Sequence, residues 1–420
     1  MEGTTEMEIE EPKSKKFGLK NSIQTNFGND YVFQIVPKDD WSSVAVSLST
    51  KAVKLYSPVT GQFQGECKGH SDTINQIAFS VSSSPHLLHS CSSDGTIRAW
   101  DTRTFQQVSF IDSGSSQEIF SFSFGGSNDN LLAAGAKSQV LTVSFLNLLV
   151  LFWDWRNGKQ VACLEESHIE DVTQVAMSMV EVEEYVNACR YFIPSRDALF
   201  NCLVHFVPDN RNKLLSASVD GLMCIFNTDG DINDDDDLES VINVGTSIGK
   251  VGFFGETYQK LWCLTHIESL SIWDWKDSRN EANFLEARSL ASDSWTLDHV
   301  DYFVDCHYPG EGDSLWLIGG TNAGALGYFP VNYKGARTIG SPEAIFGGGH
   351  TGVVRSVLPM SSMKGGPAQS RGIFGWTGGE DGRLCCWLSD DSTGINRSWI
   401  SSALVMKSPT GRKKKRRNPY

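Results

Sequence analysis

The sequence has no Cys-x-x-Cys pair; its ten cysteines are scattered along the chain. Scattered thiols form neither a zinc nor a redox motif, so reduced, buried cysteines are expected, as in a cytosolic or nuclear protein. Cys385 and Cys386 are neighbours in an expected strand and point to opposite faces. A long apolar run is also missing. The most apolar window, residues 140–153, includes Ser144 and Asn147 and is too short to cross a bilayer as a helix. The opening residues, Met1-Glu2-Gly3-Thr4-Thr5-Glu6, have no basic start and no apolar stretch, so no secretory signal is expected.

Catalytic patterns are equally scarce. No Gly-x-x-x-x-Gly-Lys loop or His-Glu-x-x-His motif occurs. Gly347-Gly348-Gly349-His350 has the look of a cofactor loop, but it precedes an expected strand, and phosphate binding of that kind needs a helix N-terminus. His86, His89 and the pair Cys306-His307 lack zinc-ligand spacing. No catalytic group, metal, cofactor or small-molecule ligand is therefore expected.

What the chain does have is 39 glycines and 11 % aromatic residues, a balance that suits an all-β protein rich in turns. Its charge is uneven. The formal total is −14, yet Arg412, Lys413, Lys414, Lys415, Arg416 and Arg417 alone supply six positive charges, which leaves −20 on the remainder. A body this acidic is a poor general binder of nucleic-acid phosphates and is better matched to basic protein surfaces.

Residues 69–101 show how the body is built. An apolar alternation through Ile74, Ile77 and Phe79 reads as a strand, and residues 87–91 as a second. Asp94-Gly95 then makes a tight turn into a third strand ending Trp100-Asp101. His70, Ser90, Asp94 and Trp100 can form a buried chain of hydrogen bonds with the indole N–H at one end. This unit resembles a WD-repeat blade, with its Gly-His start and Trp-Asp finish. Seven such units follow one another at spacings of roughly 40 to 60 residues, the repeat signature of a seven-bladed β-propeller.

Spacing shows which units keep the polar chain. Asp94, Asp220 and Asp381 each lie six residues before Trp100, Phe226 and Trp387, and Ser90, Ser216 and Thr377 lie four before the aspartate. His70, His168 and His350 are the matching histidines, each at a structural position. In the fourth unit Phe226 replaces the indole, and in the first Tyr56 does. The third and fifth units have no aspartate at the turn and are expected to hold by packing. Phe17 begins a stretch, residues 17–27, expected to close the ring by joining the last blade.

The expected organisation is a disordered segment 1–16, a propeller 17–400 and a disordered basic tail 401–420. Residues 141–150 and 176–204 each interrupt a unit and are read as insertions, of the kind a retained intron would add; the alternative is a functional loop. Residues 229–239 form an acidic loop without the spacing of a calcium site. A short strand is expected over residues 398–406. The six cations of the tail read as a nuclear or nucleolar address with a contact to rRNA open to them, and Ser408-Pro409 as a proline-directed phosphorylation site.

Several ordered blocks go further than a generic repeat. Asp171-Val172-Thr173-Gln174-Val175, Ser216-Ala217-Ser218-Val219-Asp220-Gly221, Ile318-Gly319-Gly320-Thr321-Asn322, Gly348-Gly349-His350-Thr351-Gly352-Val353-Val354-Arg355-Ser356 and Gly378-Gly379-Glu380-Asp381 resemble the WD repeat-containing protein 89 family, whose plant form is the GIGANTUS type. The resemblance covers residues 30–390 and implies a non-enzymatic scaffold linked to ribosome biogenesis and growth control, with ribosomal proteins or assembly factors as partners. No membrane partner is expected. The runner-up is a substrate receptor of a cullin-type ubiquitin ligase, since Trp100-Asp101-Thr102-Arg103 and Trp153-Asp154-Trp155-Arg156 approach the Asp-x-Arg feature of such receptors.

Overall fold

A computed structural model describes residues 15–25, 30–80, 84–114, 117–126, 130–138, 145–171, 202–230, 232, 237–296, 298–310, 312–359 and 373–388. The first blade is β2 (Val32–Pro37), β3 (Val44–Leu48), β4 (Ala52–Tyr56) and β5 (Phe63–Lys68), in that order from axis to rim. Blade two repeats the pattern with β6 (Ile74–Phe79), β7 (Leu87–Ser92), β8 (Thr96–Asp101) and β9 (Gln106–Asp112). Blade three is β10 (Gln117–Gly125) to β13 (Lys159–Asp171), blade four β14 (Cys202–Val207) to β17 (Leu238–Asn243), and blade five β18 (Ile248–Phe254) to β21 (Arg279–Phe284). Blades six and seven run from β22 (Tyr302–His307) to β26 (Ala344–Phe346) and from β27 (Val354–Pro359) to β29 (Arg383–Leu388). Outside blade three and the start of blade four, the strands fall where the sequence places the repeat units. Within each blade both faces are apolar because each is covered by a neighbouring blade.

The last two blades share one sheet, and the reason is the N-terminal strand. β1 (Lys15–Gln24) pairs antiparallel with β29, Gly18 opposite Leu388 and Gln24 opposite Arg383, and its first residues pair parallel with β26. Phe17 stacks on Phe346 with ring centroids 5.0 Å apart and leans on Phe374 at 4.2 Å. The last blade thus takes its outer strand from the start of the chain, so the ring is closed by strand pairing and no open sheet is left at the seam.

At the axis the inner strands are edges, and their unpaired amides need partners. The preceding blade supplies them. Gln34 accepts from the Ile77 N–H at 2.8 Å, Gln76 from Phe122 at 2.6 Å and Ser121 from Val204 at 3.0 Å. Further round, Glu268 accepts from the Phe303 N–H at 2.7 Å, the Tyr302 hydroxyl from Val354 at 2.7 Å, and Ser356 from Ile35 at 3.0 Å. Such side-chain bonds tie successive blades together and fix their angle. Between them lie apolar clusters. The adjacent thiols divide between two of these: Cys385 lies with Phe346 and Trp387 against blade six, and Cys386 with Val32 and Trp376 against blade one.

Three expectations change here. β12 (Phe145–Asp154) contains the second half of the span read as an insertion at 141–150, and the backbone of Val150 lies opposite Gly135 with its side chain fully buried. The described part of that span is therefore built into blade three. Lengthening β12 forces its partner to lengthen too, and β13 continues through His168, which stands opposite Leu148. His168 and Asp171 belong to the rim of blade three and do not open blade four. The span read as an insertion at 176–204 also shortens, because Cys202 and Val204 are buried in β14, the inner strand of blade four. Residues 172–201 lie outside the described residues, as do 1–14, residues 231 and 233–236 of the acidic loop, the strand expected at 398–406 and the tail.

One element has no counterpart in the sequence reading. A helix, α1 (Ala287–Ser294), fills the link between β21 and β22 and buries Ala287 and Ala291 against blades five and six.

Candidate functional site

Strand direction places all links between blades, and all turns between second and third strands, on one end of the ring, here called the upper face. Blade two carries its polar chain there. The indole of Trp100 can only donate, and its Nε1–H gives to Ser90 Oγ at 2.8 Å. Ser90 then directs its own proton to His70 Nε2 at 2.7 Å, which leaves Nδ1–H to donate to Asp94 Oδ2 at 2.9 Å. The polarity of the chain is thus set by the indole, and with it the tautomer of His70. Asp94 also accepts from the Ser71 and Thr96 amides and the Thr96 hydroxyl. These bonds outweigh the opposing effect of burial and hold its carboxyl well below the usual range. Gly95 follows at φ +79°, a conformation that would strain any other residue, and an added Cβ would lie 2.8 Å from the Gln117 carbonyl.

Blade seven repeats the arrangement. Trp387 Nε1–H donates to Thr377 Oγ1 at 2.8 Å, Thr377 meets His350 Nε2 at 2.7 Å, and His350 Nδ1 meets Asp381 at 3.1 Å. Burial pushes the His350 pKa down, but the bond to Asp381 and the Cys385 thiol push it further up, to about 9. Asp381 is lowered in turn by the same bond, against its burial. Thr377 and Trp387 are almost wholly buried, so neither blade's chain reaches a substrate.

Blade four keeps only part. Asp220 receives the Leu222 N–H at 2.9 Å and caps its turn, and Ser216 meets the Cys224 thiol. With Phe226 in place of an indole and His168 in another blade, the chain lacks its indole donor and His168. Blade five uses a different clasp that the sequence reading passed over. Gly245-Thr246-Ser247-Ile248-Gly249 has the spacing of a serine-nucleophile elbow, and Ser247 Oγ lies 2.7 Å from His266 Nδ1. An elbow requires a strand running into a helix. Here the turn runs into β18, so the pair serves to join the link to the turn beside it. Beside it Glu268, at φ +59°, is pushed up to about 7 by burial, an effect only partly offset by the Phe303 amide and by Arg288, Arg355 and Lys250.

On the lower face the Trp-Asp ends are tied inward. Asp101 receives Arg103 through Nε at 3.0 Å and Nη2 at 2.6 Å, and Asp154 accepts from Asn157 at 2.8 Å. Trp275 Nε1–H donates to the Tyr258 carbonyl at 2.8 Å, which makes it a strand end. Among the described residues no group of three or more His, Cys, Asp or Glu could hold a metal ion, and no helix is long and apolar enough to cross a membrane. Cys67, Cys91, Cys202, Cys224, Cys263, Cys306, Cys385 and Cys386 are buried thiols outside any disulfide. The tail residues Arg412 to Arg417 lie outside the described residues.

Comparison with known proteins agrees with this geometry. The WD domain, G-beta repeat, matches residues 61–101, which include one of the two units with the complete chain. The WD repeat-containing protein GTS1 of Arabidopsis thaliana is 67 % identical over 97 % of this chain and 93 % of its own length. The chain belongs to this family of WD-repeat proteins. A WD repeat-containing protein 89 homolog of Dictyostelium discoideum is 31 % identical over 75 % of the chain and 74 % of its own length. A shorter likeness, 35 % over 16 % of this chain and 14 % of the other, is to the ribosome biogenesis protein YTM1 of Yarrowia lipolytica. Like other WD-repeat proteins, a member of the GTS1 family is built for protein interaction, and such proteins are in general non-enzymatic scaffolds.

Proposed function

We propose that the chain is a scaffold that holds ribosomal proteins or ribosome-assembly factors, in the nucleus or nucleolus, as part of growth control. The observation that carries this reading is the closed, cross-tied ring. Its polar side chains at the axis and in blades two and seven are consumed in holding blades together, so chemistry is left to the loops, which is the economy of a binding platform. The −20 charge of the body suits basic ribosomal proteins, and the local likeness to a ribosome biogenesis protein supports the same setting. The tail residues Arg412, Lys413, Lys414, Lys415, Arg416 and Arg417 supply the address and a contact for rRNA.

The ligase-receptor reading is the alternative: on the lower face Arg103 is held on Asp101 by two hydrogen bonds while its side chain stays largely exposed. Affinity purification of the full chain and of one ending at Lys407 separates the two. Recovery of large-subunit ribosomal proteins and assembly factors, lost on truncation, is expected. Recovery of a cullin adaptor without ribosomal proteins would reverse the order.

A further inference from the structure

The upper face between blades five and six differs from the rest of the ring. Its link, residues 285–301, carries α1, and three aliphatic side chains stand in solvent there: Leu285 at 64 % exposure, Ile267 at 43 % and Leu290 at 37 %. Ile267 is at the tip of the turn between β19 (Lys260–Thr265) and β20 (Leu270–Asp274). Leu285 follows Phe284, whose backbone lies opposite Leu270 at the base of the same turn, so the two side chains flank one hairpin end. Glu268 draws that turn against its neighbours. Its carboxylate takes the Phe303 N–H of blade six, and Arg288 of α1 lies close enough to act on it, whereas Leu290, two residues on, stands on the other flank of the helix.

The rim of this apolar patch is acidic. Glu286, Asp293 and Asp298 are exposed along the link, whose one lysine or arginine is Arg288; Lys250 and Arg355, which also act on Glu268, are paired with Asp305 and Glu380. His299 is held between Asp298 at 3.3 Å and Asp301 at 3.0 Å. Exposed aliphatic groups ringed by charge of one sign mark a contact surface for a partner of the other sign.

We propose that this patch docks a basic segment of a partner protein, a stretch in which aliphatic or aromatic anchors alternate with lysine or arginine. The anchors cover Ile267 and Leu285, and the cations face Glu286, Asp293 and Asp298. This rests on the scaffold reading and names its site. The charge of the chain favours such an occupant over a second copy, whose equally acidic rim would oppose approach.

The test uses the full chain and a labelled amphipathic peptide of Lys and Leu, followed by fluorescence anisotropy at moderate salt, with Glu/Leu and Lys/Ser peptides as controls. The Lys/Leu peptide is expected to bind, and the controls to bind at least about tenfold more weakly. Two double variants, Ile267→Ser with Leu285→Ser and Glu286→Lys with Asp298→Lys, change only exposed side chains and leave the thermal midpoint in place. Each is expected to weaken Lys/Leu binding about tenfold, whereas Val108→Ser with Phe110→Ser on the rim of blade two leaves it unchanged. Unchanged Lys/Leu binding in both patch variants would overturn the assignment, as would equal binding of the Glu/Leu peptide. A chain that is dimeric by light scattering and becomes monomeric on Ile267→Ser with Leu285→Ser would give the site to a second copy instead. If the patch variants bind the peptide normally and still recover ribosomal proteins from cells, the site assignment fails and the scaffold reading stands.

Discussion

Replacing Ser90 by alanine should cost far more than the loss of one hydroxyl suggests. Ser90 is fully buried and sits between two groups that have no route to water, the Trp100 indole N–H at 2.8 Å and His70 Nε2 at 2.7 Å. Ser90→Ala leaves a buried donor and a buried acceptor unpaired at once. Each orphan costs about 1–3 kcal/mol, so a loss of about 2–6 kcal/mol is expected. Ser216 is the built-in control. It occupies the same position in blade four, is equally buried, and faces Cys224 with Phe226 in the place of the indole. With Phe226 there, no indole N–H can be orphaned, so Ser216→Ala should cost less than Ser90→Ala by about the 1–3 kcal/mol of one buried donor. Urea unfolding of the full chain, followed by tryptophan fluorescence, gives the two midpoints side by side. Equal shifts for the two variants would refute the claim that the indole, serine, histidine and aspartate act as a connected chain.

Other consequences are as direct. Gly378 meets blade one so closely that an added Cβ would stand 2.2 Å from Val32 Cγ1, so Gly378→Ala should destabilise the ring by about 1–3 kcal/mol; Val32→Ala added to it should restore part of the loss, and no recovery would mean the strain lies elsewhere. Because the His350 pKa is raised to about 9, the bond to Asp381 contributes fully below about pH 6.5 and fades as pH rises through 9. Thermal midpoints of the native chain should accordingly fall over that window, and His350→Gln should flatten the profile. Asp94 and Asp381 are lowered, so their contribution is present above about pH 4 and is lost as pH falls below it; Asp94→Asn should make the chain less stable at pH 7 and less sensitive to acid, which a pH series of melts checks. Deleting residues 1–24 removes β1 from the seam, and limited proteolysis should then cut within blade seven first; a cut pattern like that of the full chain would argue against closure by this strand.

Most of the ring was legible because its signals are local. Apolar alternation marks inner strands such as residues 74–79, and the fixed distance from Asp94 to Trp100, repeated from Asp381 to Trp387, marks two blades with the full chain. The closing role of the N-terminal stretch was visible in Phe17 and the apolar residues after it. Blade three was not. There a chain of apolar residues before Phe152 supports a longer strand as readily as an interruption, and strand length is settled by what the partner strand can cover, a non-local matter. His168 was misplaced for the same cause. The helix α1 escaped notice because it is short, lacks a capping side chain and buries only Ala287 and Ala291, too little periodicity to read. The bonds at the axis, such as Gln34 to Ile77 and Ser356 to Ile35, join residues far apart in sequence, and nothing in the local pattern announces them.

Sedimentation of a nuclear extract through a sucrose gradient tests the scaffold assignment most directly. The full chain should migrate with large pre-ribosomal particles and move to the top of the gradient when it ends at Lys407. A full chain that stays at the top, free of ribosomal proteins while those particles remain intact, would contradict a role in ribosome assembly.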